Sequence, residues 1–115
     1  MISFYELIEK IKQRPALYLG KAALSQLQTF LDGYTFALRQ VNIPVSQEEQ
    51  EFEQFQEWIE AKFNQVATQH WSRIILFYSE DERDALERFF QLFNDFINEK
   101  KLAKIKEKTE VMSNI

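Results

Sequence analysis

Apolar residues return at steps of three and four along almost the whole chain, and that spacing admits little besides amphipathic helices. Phe4, Leu7, Ile8 and Ile11 make one short apolar stripe. Ser3 with Glu6 three residues on is a capping-box pattern that opens this helix, and Pro15 closes it by disfavouring helical geometry at Arg14. A second helix carries Leu24, Leu27, Leu31, Tyr34, Leu38 and Val41, and Asn42 and Pro44 end it. Gly33 interrupts its interior, where a glycine is expected to allow a close helix contact. Ser46 with Glu49 opens a third helix bearing Phe52, Phe55, Ile59, Phe63 and Val66. Ser79 with Glu82 starts the last, whose apolar face holds Leu86, Phe89, Phe90, Phe93 and Ile97, with Phe96 beside them.

Between these lies "HWSRIILFYS", residues 70–79, which fits either a helix or a short buried strand. A lone strand has nothing to pair with, so a helix is expected. The sum is an all-α fold: a compact bundle of four main helices plus a short N-terminal helix. At 115 residues the chain suits a single domain, placed at 1–98, with 99–115 as a Lys-rich helix extension or a tail fraying toward Ile115.

Charge divides along the same line. Residues 1–98 carry nine Lys and Arg against fifteen Asp and Glu, whereas residues 99–115 carry five Lys against three Glu. An acidic body repels phosphate, so nucleic acid is not an expected partner despite the tail's "KKLAKIKEK". The N-terminal residues lack the basic stretch and apolar run of a secretory signal, and no apolar run is long enough to span a bilayer. With no Cys there is no disulfide or thiol chemistry, which fits a cytoplasmic location.

Catalytic constellations are sparse. The segment "IKQRPALYLG" is similar to one near the start of type II topoisomerase ATPase domains, but the chain has only Gly20 and Gly33, too few for a Gly-rich phosphate cradle. The expected role of that segment is structural: Leu17 and Tyr18 fold back on the core and Gly20 turns the chain. His70 is the only histidine, so a typical zinc site is not expected, and neither is a cofactor. An enzyme or ligand-binding alternative would group Arg14 as anion binder, Tyr18 as hydroxyl and His70 as base around one pocket.

The stronger feature is acidic. Glu49, Glu53, Glu57 and Glu60 form a stripe on the third helix, with Trp58 at its edge and Lys62 the only base nearby in sequence. Such a face is expected to dock a basic protein partner by electrostatic steering, with the tryptophan as anchor. The aromatic surplus of the last helix, with Phe30 and Phe36 off the main stripe of the second, further suggests a homodimer that covers exposed rings.

Four segments together carry a resemblance: "RPALYLG", "LQTFLDGYTFA", "FQEWI" with Trp71, and "DERDALERFFQLFNDF". They look like a little-characterised family of small bacterial all-helical proteins, some of which occur beside toxin systems. That resemblance implies a cytoplasmic protein with an immunity or antitoxin-like role, and no catalytic residue comes with it.

Overall fold

Ser3 caps the first helix, α1 (Phe4–Gln13), by accepting the Glu6 N–H at 3.2 Å, and the stripe Phe4, Leu7, Ile8 and Ile11 is buried as its spacing requires. The computed structural model describes residues 1–65 and 69–113, and among these the fold is all-α. After α1 come α2 (Pro15–Leu19), α3 (Leu24–Gln40), α4 (Gln47–Glu53), α5 (Phe55–Lys62), α6 (Trp71–Phe77) and α7 (Glu82–Ser113). No described helix is long and apolar enough to cross a membrane.

This is a finer division than four main helices and a short one. Pro15 ends α1 but also begins α2, because its fixed φ and missing N–H suit a first helical position. In that single turn Tyr18 and Leu19 pack against the core, while Leu17 is exposed instead of folding back. Gly20 then turns the chain at φ 75°, a left-handed geometry that favours glycine. The predicted third helix is divided at Gln54, whose N–H bonds three residues back to Glu51 in a tightened turn. Phe52 and Phe55 flank that step and stack with centroids 5.3 Å apart, both directed to the core. Val66, assigned to the same helix from its spacing, lies outside the described residues.

Three further expectations change. Gly33 allows no close contact: a side chain there would meet open space. Val41 is exposed at the end of α3, where Asn42 takes a left-handed φ of 63° and breaks the helix. Ser79 does not cap α7, because its hydroxyl donates back to the Ile75 carbonyl at 2.6 Å. Asp81 caps instead, accepting the Asp84 N–H at 2.8 Å. Glu82, released from the expected box, binds both the Ser25 N–H and hydroxyl at 2.9 Å, placing a carboxylate at the positive end of α3.

The segment at 70–79 is helical as far as Phe77, and it lays Trp71, Ile74 and Ile75 into the core. That core is aromatic at its centre. Phe55 and Phe89 are fully buried, Trp71 stacks on Phe89 at 5.1 Å, and Phe89 stacks on Phe93 at 5.7 Å. Phe90 and Phe96 are buried too, and Phe30 and Ile97 pack partly against the cluster. One core therefore takes in the ring surplus of the last helix, which no longer argues for a dimer. Phe36 alone of those rings stays exposed. Past the body α7 remains helical to Ser113, carrying the Lys-rich segment as an extension; Ile115 lies outside the described residues.

Candidate functional site

The acidic face begins with a complete capping box. Ser46 Oγ accepts the Glu49 N–H at 3.1 Å, and the Ser46 N–H donates to Glu49 Oε2 at 2.9 Å. The other oxygen of Glu49 receives Arg39 Nη2 from the end of α3 at 2.8 Å. Burial pushes the Glu49 carboxyl upward, but the Ser46 N–H and the Arg39 guanidinium outweigh it and hold the group below the usual carboxylate range. Glu49 is thus a structural anchor between α3 and α4.

Glu53, one turn on, is exposed and its carboxylate has no hydrogen-bond or ion-pair partner among the described residues. Past the step at Gln54, Glu57 is also exposed, whereas Glu60 accepts from Gln56 Nε2 at 3.0 Å. Trp58 is half-buried: it stacks on Phe55 at 5.8 Å, meets Phe96 edge-on, carries Lys62 over its ring, and donates its indole N–H to Glu99. The tryptophan is committed to α7. Nor is Lys62 the only base at hand, since folding brings Arg39 to Glu49, Lys104 to Glu51 at 3.2 Å and Lys100 to the Gln54 side-chain carbonyl.

A groove of about 630 Å³ runs between α3 and α4 and ends at the start of α6. Phe4, Leu31, Phe52 and Trp71 supply apolar lining. Phe36 and Val45 stand in it largely uncovered, 66% and 46% exposed. Asp32, Glu49, Glu53 and Arg39 are its charged residues, with Gln56 and His70 at one end. Three carboxylates face one guanidinium, and that guanidinium is already spent on Glu49 through Nη2. Its Nε and Nη1 are buried without an acceptor, leaving unsatisfied donors in the groove wall.

His70 caps α6 with its Nδ1, which accepts the Ser72 N–H at 3.2 Å and lies 2.8 Å from Ser72 Oγ. Burial lowers its pKa from 6.5, and the opposing pull of Asp32 is weaker, so the imidazole is neutral at pH 7. The Ser72 hydroxyl is buried and donates to Gln28. Among the described residues no group of three His, Asp or Glu side chains is placed to hold a metal ion.

The sequence candidates are therefore divided. Glu49 and Glu53 line the groove; Glu57, Trp58 and Glu60 do not. His70 lines it, but Arg14 and Tyr18 do not: Arg14 is exposed and Tyr18 lies against the core beyond α1. Asp32, Phe36, Arg39 and Val45 escaped the sequence reading as site residues. The position of Phe36 off the apolar stripe of α3 was the one signal that could have marked this wall.

Comparison with protein-family models, with curated proteins and with solved structures finds no match to this chain.

Proposed function

We propose that this chain is a non-enzymatic interaction protein that binds a basic protein partner in the groove between α3 and α4. The observation that carries the reading is the juxtaposition of uncovered Phe36 and Val45 with Asp32 and Glu53, whose carboxylates have no ion-pair partner among the described residues. Apolar surface of this kind supplies binding energy when covered, and unpaired acidic neighbours select a cationic occupant and speed its approach. The resemblance to bacterial proteins found beside toxin systems supports a basic toxin as that partner and an immunity or antitoxin role.

The test is titration of a basic toxin encoded beside this chain's gene against the wild type and the D32K/E53K double variant. Affinity should fall at least tenfold in the variant, with a flatter salt dependence. Equal affinity and an unchanged salt slope would move the binding surface elsewhere. His70 adds a readout of opposite sign. Asp32, Glu49, Glu53 and Arg39 are the charged groups that share the groove with it. Neutral at pH 7, it gains positive charge as pH falls through its lowered pKa, so a cationic occupant should bind more weakly in acid. His70→Asn should reduce that loss.

A further inference from the structure

We infer that the C-terminal half of α7 from a second copy of this chain occupies the groove, so that two chains cover each other's binding sites. The inference rests on the reading of the groove as a dock for a cationic, amphipathic segment, and it names a regulator of that dock.

The chain itself carries such a segment. At about 3.6 residues per turn, Lys100 and Lys104 share one side of α7, and both reach α4, at Gln54 and Glu51. Leu102 and Ile105 fall on another side, away from those contacts, and are 65% and 61% exposed. Lys101 and Lys108 border this pair on one flank and Lys106 on the other. An apolar strip between lysines is the form in which an amphipathic helix enters an apolar groove with acidic edges. The groove offers the complement, with exposed Phe36 and Val45 lining it together with Asp32 and Glu53.

The two halves cannot meet within one chain while α7 stays helical, because α4 stands between them. Glu49, Phe52 and Glu53 line the groove, whereas Gln47, Glu51 and Gln54 face the α7 extension. A second copy has no such obstacle. Reciprocal exchange, in which each chain donates one tail and accepts one, gives a closed twofold dimer and leaves neither groove uncovered. It also sets a threshold for any other partner, which must displace the tail to bind.

Sedimentation equilibrium of the full chain should give a mass of twice 13.8 kDa in the micromolar range. The L102D/I105D double variant alters only exposed side chains outside the core, so it should still unfold as a cooperative helical protein, and it should sediment as a monomer. D32K/E53K, which alters the accepting groove, should also be monomeric. A labelled synthetic peptide of residues 99–113 should bind full-length L102D/I105D in a salt-sensitive manner, and at least tenfold more weakly when D32K/E53K is added. A wild-type mass of 13.8 kDa throughout that range, or a dimer that persists in both variants, overturns the exchange. If the toxin still loses affinity on D32K/E53K while the wild type is monomeric, the groove reading stands and only the exchange falls. If neither peptide nor toxin responds to D32K/E53K, both fall together.

Discussion

The two halves of α7 are one helix on one axis, yet different forces hold them. From Glu82 to Ile97, successive turns deliver Ala85, Leu86, Phe89, Phe90, Phe93 and Phe96 into the core. From Glu99 onward, through Glu110, no residue is buried, and polar contacts tie the extension to the body: Glu99 at Trp58, Lys100 at Gln54 and Lys104 at Glu51. Packing keeps the first half helical. The second relies on good intrinsic helix formers, Lys, Leu, Ala and Glu, and on continuity with a helix already nucleated. A helix can thus be continuous in geometry and divided in energy, and the divided part is free to serve as a ligand.

The largest test of that division is Phe89→Ala. The ring is fully buried and meets Phe52, Phe55, Trp71, Phe90 and Phe93, so its loss removes transfer energy and opens a cavity shared by several helices. Urea unfolding should register about 3–5 kcal/mol of destabilisation. A cost below about 1 kcal/mol would mean that the core yields locally and that the contrast between the halves is overstated.

Gly33→Ala sharpens the comparison from the other direction. An added Cβ meets open space on the exposed side of α3, so the substitution should stabilise the protein by about 0.5–1 kcal/mol. The gain belongs to the body. Hydrogen exchange should slow for core amides that exchange only by global unfolding and stay unchanged for residues 99–113, which open locally. Equal slowing in both would join the extension to the cooperative unit.

The sequence spacing made the buried stripes of α1, the first half of α3 and the first half of α7 legible, because burial there follows the helical period directly. It misled at residue 79 because Ser79 and Asp81 are both capable caps, and only folding shows the Ser79 hydroxyl taken by Ile75. The groove was harder still. Glu49 reads as one carboxylate in an acidic stripe, but its partner Arg39 lies on the preceding helix, and only the turn through Asn42 brings them within 2.8 Å. The step at Gln54 then divides the stripe, leaving Glu53 beside the groove and Glu57 off it. Side-chain spacing along one helix carries no record of what a neighbouring helix places opposite.

Lys104→Ala should have the smallest effect and bears most directly on the tail. The ion pair with Glu51 is largely open to solvent on the lysine side, where the side chain is 60% exposed, and pairs of that kind contribute a few tenths of a kcal/mol. Removing it leaves Glu51 satisfied, since the Tyr5 hydroxyl still donates to its other oxygen at 2.9 Å. That phenol remains protonated, because burial and the adjacent Glu51 carboxylate both raise its pKa. Global stability by urea should therefore shift by less than about 0.5 kcal/mol. The local effect is different in kind. With Lys104 gone, Glu99 at Trp58 and Lys100 at Gln54 still fasten the root of the extension, and amides beyond them should exchange faster while those of residues 86–96 keep their protection. Faster exchange in both segments would show that the tail supports the core. Unchanged exchange in both would show that helix propensity alone holds the extension, with the contact to α4 contributing nothing.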